Sequence, residues 1–552
     1  MCNTLVSSKT HVAAYSNRKK HFSGLIVLIS LLIIQTGYAQ VKVIVNSDIH
    51  YEPILPVSLD AYKSVQDRDN STQNPKLGFG VAISGGGSRA QYFGLGVLMG
   101  LEQIKDPAQG ANRNLLNDVD YFSTASGGGF AAGYYLTIKK NVLLAPDKTF
   151  NSFGDFWLSR RRIDELQEFI WQSAEIWDFI LKFKGYERNS RKSMPEVIDQ
   201  QLLQYDPTPG SKKFSERMRL KDFFVSVSDS RQPTLPMFVA NGTVFNNVER
   251  LPFMPHILKG LDVNRSLEPV DNSFENNPAY EFPLTYAISG SAAFPGILPQ
   301  VQLGLASTNT KVIRIVDGGV VDNLGYKTLI ELLSSDHKVT DEAKRALIID
   351  CSAVGEAERY SDKGIASQIG VLKSALLFTV DSKYVTRKED IENDLIAHHI
   401  PLTNYLMVGF NTLKKRLMAK DTADDRELIE LRKYLRQDAG QTESSKASDN
   451  RWLELLSKFE ASVKLHCKIK NPNNYVINDD NWQGNELRTI DLITFDDFKN
   501  FTLADDLMLY ELASQIETKM KIYKSEKIIL TLAGKYVVYL EQNKLNQLYH
   551  LN

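Results

Sequence analysis

The stretch VAISGGGSRAQYFG (residues 81–94) sets three consecutive glycines between an apolar run and a segment with the composition of a helix. Gly85, Gly86 and Gly87 give up side chains and cost ordering entropy where an ordinary turn needs only one glycine. Something must therefore approach this backbone so closely that no Cβ is tolerated. Chains build such loops for phosphates, for dinucleotides and for the oxyanion of acyl transfer. The preceding LGFGVAIS reads as a buried strand, and residues 89–104 read as a helix.

The same grammar returns in VDYFSTASGGGFAAGYYLTI. Residues 119–124 read as a strand, Ser126 stands at a sharp turn, and residues 127–138 read as a helix. Two strand–turn–helix units in succession predict an α/β protein with a parallel sheet wrapped by helices. Further strands are expected at LPMFVANGT, KVIRIVD and RALIIDCSA, and the pattern becomes mostly helical after about Glu358. The polar stretch QDAGQTESSKASDN (residues 437–450) reads as a loop. Thr502 and Asp505 form a capping box ahead of a helix.

At 552 residues the chain fits one large domain with an appendage. Residues 18–21 are basic, LIVLISLLII (residues 25–34) is bare and apolar, and Gly37 and Ala39 are small. That sequence predicts a secretory signal at residues 1–39, cleaved after Ala39. The alternative is an uncleaved membrane anchor. The expected organisation is a signal at 1–39, a catalytic domain at 40–360 and a mostly helical region at 361–552, in an exported protein that is periplasmic, envelope-associated or secreted. Without the signal, 61 basic side chains face 66 acidic ones, a net charge of −5. No basic excess argues for nucleic acid. Cys351 and Cys467 remain, too few for a disulfide framework.

Three stretches require a joint explanation: SGGGSR (residues 84–89), TASGG (residues 124–128) and VDGGVVDN (residues 316–323). A serine at a tight strand–helix turn holds its Oγ out of the sheet. The helix that follows aims its positive end at a developing alkoxide. The hydroxyl still needs a base. None of the histidines outside the signal (His50, His256, His337, His398, His399, His466 and His550) lies in a suitable motif. Asp317 ends an apolar strand before two glycines, and a desolvated carboxylate there gains proton affinity. Asp322 is the fallback. The N–H groups of Gly86 and Gly87 are then placed to hold an oxyanion, with Arg89 supplying a cation or bracing the loop.

In this order the three stretches resemble the patatin-like phospholipase family, which includes the catalytic domain of cytosolic phospholipase A2. A fourth stretch, AISGSAAFPGILP (residues 287–299), is similar to the small-residue block that the family carries between serine and aspartate. The resemblance spans residues 77–351. It implies a three-layer α/β/α patatin-like fold with a mostly parallel central sheet and a largely helical C-terminal extension. It also implies a Ser126–Asp317 dyad, an oxyanion element of Gly85, Gly86, Gly87 and Arg89, and hydrolysis of phospholipid or other lipid esters through an acyl-serine. The chain departs from the family pattern at Thr124, which stands where the elbow has its first glycine, and at Ser84, where patatins carry Asp.

Other readings are open. The P-loop and dinucleotide patterns are not matched around the glycines. Zinc, calcium and HExxH spacings are absent from the sequence, so a hydrolase without metal or cofactor is the simplest expectation. A catalytically silent lipid-binding or envelope scaffold of the same fold is the alternative function. The segment 153–192 holds Trp157, Trp171 and Trp177 between basic ends, and fits either a lid over an acyl site or peripheral contact with a membrane. Asn70, Asn241, Asn264 and Asn500 stand in N-x-[ST] sequons, which matter only in a eukaryotic secretory pathway.

Overall fold

A computed structural model describes residues 54–63, 77–105, 114–145, 150–160, 218–245, 247–266, 279–294, 298, 300–306, 308–351, 388–419, 445–467, 493–516 and 524–549, with residues 195, 198, 429 and 431 singly. The expected signal at 1–39, residues 161–192 of the tryptophan-rich segment and the end of the small-residue block lie largely outside these. Among the described residues, nine strands make one sheet: β1 Gly78–Ile83, β2 Tyr121–Ala125, β3 Met237–Val244, β4 Glu249–Pro252, β5 Val263–Ser266, β6 Val301–Leu305, β7 Thr308–Asp317, β8 Lys344–Asp350 and β9 Tyr405–Gly409. The helices that position the site are α1 Gly87–Gln103, α2 Gly127–Ile138, α3 Leu284–Ser291, α4 Tyr326–Ser335, α5 Phe410–Ala419, α6 Ser445–His466, α7 Leu503–Ser514 and α8 Lys524–Leu540.

The sheet runs β5-β6-β7-β3-β2-β1-β8-β9, with β4 paired to β3 as well. Its centre, β3-β2-β1-β8-β9, is parallel. The strands β4, β5, β6 and β7 are antiparallel to their neighbours. Central strands buried on both faces read as unbroken apolar runs, and GFGVAI and YFSTA do so.

Layering follows from the two faces of β1. A Cβ on Gly80 would strike Leu329 of α4, whereas Ile83 meets Gly94 of α1. Residues three apart on a strand point to opposite sides, so α4 covers one face and α1 the other. The result is the three-layer α/β/α arrangement. Helix α1 begins directly at Gly87, two residues before the expected start, with Gly86 as its cap.

Residues 54–355 and 384–552 form one unit. The ladder from β8 to β9 and a single apolar core join them. The closest contact is between α1 and α8: a Cβ on Gly96 would lie 2.1 Å from the Thr531 carbonyl oxygen, and one on Gly534 would lie 2.2 Å from that of Phe93. The two backbones therefore touch through glycine. The strand YLMVG was not expected, because a five-residue apolar run does not distinguish strand from helix. Helix α6 starts at Ser445, inside the stretch read as a loop. Its polar first turn hides a helix whose stripe of Leu455, Leu456, Phe459 and Val463 is buried further on.

Overpacking at a backbone-to-backbone contact costs about 1–3 kcal/mol. Gly534→Ala is therefore expected to lower the denaturant midpoint of the whole unit, the central strands β1 and β2 included. A wild-type midpoint would mean that α1 and α8 are not held together at this contact.

Candidate active site

The turn after β2 is one residue long. Ser126 adopts φ 46° and ψ −121°, and α2 begins at the next residue. Positive φ at a serine costs on the order of 1–3 kcal/mol and persists only where neighbours over-determine it. Thr124, two residues before Ser126, lies in the regular ladder opposite Ile83 and Ala240. Its β-branch suits a strand, so the departure from glycine there does not crowd the turn. The turn itself needs glycine after the serine: a Cβ on Gly127 would sit 2.1 Å from the Gly87 carbonyl oxygen.

The two turns therefore meet at the carboxyl edge of β1 and β2, and at Gly85 the close neighbour is Asn323, whose Oδ1 lies 2.4 Å from where a Cβ would sit. Gly86 also holds φ 140°, which no side chain adopts comfortably. Gly85 donates its N–H to the Asn323 carbonyl at 2.8 Å. Among the described residues, the N–H groups of Gly86 and Gly87 have no acceptor.

The Ser126 hydroxyl donates to Oδ2 of Asp317 at 2.7 Å. Asp317 ends β7, and its Oδ1 accepts the Gly319 N–H at 2.7 Å. The carboxyl group is 4% exposed. Burial pushes its proton affinity up, to a pKa of about 6, against the opposing hydrogen bonds from Ser126 and Gly319. Register explains the meeting: Ala125 of β2 pairs with Asn241 of β3, and Gly242 pairs with Asp317. Neighbouring rungs of one strand thus bring both residues to the same edge.

Two of the four residues expected at the oxyanion element have hydrogen-bond partners of their own. The Gly85 N–H is committed to Asn323. The Arg89 guanidinium donates to the carbonyls of Cys351 at 3.1 Å and Ile516 at 3.3 Å, and lies over the Phe410 ring. Arg89 is thus a brace that ties the start of α1 to the end of β8 and to the chain after α7. The fallback Asp322 is buried, with Oδ2 accepting the Lys327 N–H at 2.9 Å and no bond to Ser126. Among the described residues, no histidine is hydrogen-bonded to Ser126 or Asp317; His256, for one, contacts Tyr62 and Pro56. Nor does any cluster of the described residues suit a metal ion.

Residues that sequence reading passed over complete the surroundings. Ser291 Oγ accepts the Ser126 N–H. The carboxamide of Asn241 donates to Ser123 Oγ at 2.9 Å and to the Thr124 carbonyl at 3.0 Å. Asn241 is fully buried, which removes its sequon from consideration as a glycan site. Its signal was the polar Asn-Gly pair inside the apolar strand MFVANGTV. Of the tryptophan-rich segment, Trp157 is described and is core, packed edge-on against Tyr134 at 5.9 Å. Trp171 and Trp177 lie outside the described residues. No helix of the described residues is long and apolar enough to cross a membrane.

These features define an α/β/α protein with a serine–carboxylate pair at the carboxyl edge of its parallel strands, facing a glycine turn. Residues 81–330 match the family described as patatin-like phospholipase. Among solved structures it is similar to the crystal structure of VipD from Legionella pneumophila, at 13% identity and a TM-score of 0.24, covering 90% of this chain and 97% of that one. Curated proteins give no match.

A carboxyl group whose folded pKa lies above its unfolded value contributes stability that is present at low pH and lost as pH rises through about 6. At neutral pH the ionised Asp317 is therefore a cost, of up to about 3 kcal/mol. Asp317→Asn is expected to raise the melting temperature at pH 7.5, with the gain shrinking toward pH 4. An equal or lower melting temperature at pH 7.5 would contradict the burial argument.

Proposed function

We propose that this protein is a serine acyl hydrolase that cleaves phospholipid or other lipid esters through an acyl-serine intermediate. The observation that carries the reading is the 2.7 Å hydrogen bond from Ser126 Oγ to a buried Asp317 with raised proton affinity. As the hydroxyl attacks the ester carbonyl, its proton passes to Asp317. The tetrahedral oxygen is held by the N–H groups of Gly86 and Gly87, with the positive end of α2 behind the serine. Collapse expels the alcohol, which takes the proton back from Asp317. Water, deprotonated by the same carboxylate, then hydrolyses the acyl-serine. A pKa near the working pH suits a group that both takes and returns a proton.

The domain's family supports a lipid substrate. The basic, apolar and small-residue order of residues 18–39 supports export, and the tryptophan-rich segment supports peripheral contact with a membrane surface. Both remain parts of the proposal.

Single variants Ser126→Ala and Asp317→Asn, assayed on short-chain nitrophenyl esters, are expected to lose at least about 10³-fold in kcat. A fluorophosphonate probe is expected to label Ser126, identified by peptide mass. Label on another serine, or hydrolysis at the blank rate by the parent protein, overturns the reading in favour of a silent lipid-binding scaffold.

The base must be ionised to accept the proton. Activity is therefore expected to fall as pH drops through about 6 and to be flat above it. A profile with no acid limb between pH 5 and 7 would remove Asp317 from the role of base.

A further inference from the structure

Ester cleavage uses one serine, yet a second serine hydroxyl is built into the same corner. Ser291, the last residue of α3, is fully buried. Its Oγ accepts the Ser126 N–H at 2.9 Å and donates its own proton to the Asn241 carbonyl at 2.6 Å. A hydroxyl carries one proton and two lone pairs, so it meets both demands at once. The same short segment also fastens the acid. Gly318 donates its N–H to the Ser291 carbonyl at 2.9 Å, and Asp317 donates its N–H to the Ala293 carbonyl at 3.0 Å. The end of α3 therefore grips the backbones of two residues that are 191 positions apart in the chain.

We propose that Ser291 is a positioning residue that holds Ser126 in its strained backbone conformation and sets its hydroxyl against Asp317. The Ser126 N–H lies past the end of the β2 ladder and at the head of α2, where helices leave their amides unsatisfied. Without Ser291 that amide is buried and unpaired, and the turn relaxes to regain a partner. A displacement of about 1 Å at a reacting atom costs on the order of 10²-fold in rate. The inference rests on the proposed serine–aspartate chemistry. Ser289, on the same helix, provides the control: it is equally buried, but among the described residues its hydroxyl has no hydrogen-bond partner.

The test is steady-state kinetics on a nitrophenyl ester, together with the rate of fluorophosphonate labelling. It compares the parent protein with Ser291→Ala, Ser291→Thr and Ser289→Ala. Ser291→Ala is expected to lower kcat by about 10- to 100-fold with KM within about twofold, and to slow labelling of Ser126 in proportion. Ser291→Thr keeps Oγ and is expected to recover kcat to within about fivefold of the parent. Ser289→Ala is expected to match the parent. The proposal is overturned if Ser291→Ala keeps kcat within about threefold, or if Ser289→Ala loses as much. Should Ser291→Ala not fold, Ser291→Cys takes its place. Its sulfur bonds weakly, so a folded variant with parental kcat overturns the proposal, and a drop of at least about fivefold at unchanged KM supports it. A parent protein that neither turns over nor labels overturns the hydrolase reading and this inference together.

Discussion

The arrangement of the whole site depends on strand β3. It continues the parallel sheet from β2 and, on its last residues, accepts β7 running the other way. Adjacent rungs hold Ala125 against Asn241 and Asp317 against Gly242. The residue after Ala125 and the carboxyl end of β7 then have nowhere to go except toward each other. The crossing is tight: a Cβ on Gly318 would sit 1.9 Å from the Asn241 carbonyl oxygen. A one-residue slip in either pairing would turn the aspartate to the opposite face.

Around that crossing the protein accepts several local costs together. A serine holds positive φ, a carboxylate is buried with its proton affinity raised, and two glycine-rich turns meet backbone to backbone. Each is unfavourable alone. Each is also the geometry that the proposed acyl transfer uses, and the surrounding hydrogen bonds with Asn241, Ser291 and Gly319 fix it. The stabilising side is supplied by regions far away in sequence. Helix α8 lies against α1 at Gly96 and Gly534, and Arg89 reaches from α1 to Ile516. Helix α1 is therefore held in place by the C-terminal part of the chain, which also adds β9 to the sheet.

Much of this was legible in advance, for a definite reason. Turns that a backbone must pass without side chains leave glycines in the sequence, and buried parallel strands leave apolar runs beside them. SGGGSR, TASGG and DGG are therefore visible as text, and with them the fold class. The strand YLMVG was hidden because short apolar runs carry no period. The first turn of α6 was hidden because its core-facing residues come later. The partners of Gly85 and Arg89 were hidden because a residue type states which bonds are available, not which partner takes them.

By itself, the sequence determined where the chain turns sharply, which strands are buried, and that Ser126 and Asp317 stand at strand ends. Those features follow from local chemistry, namely glycine's missing Cβ and the period of apolar residues. Only the tertiary structure decided that Ser126 and Asp317 share a hydrogen bond, that Ser291 and Asn241 support them, and that Arg89 ties the start of α1 to the C-terminal chain. Those contacts link residues more than a hundred positions apart in several cases. Sheet register and helix packing set them, and both are properties of the assembled layers rather than of any one stretch.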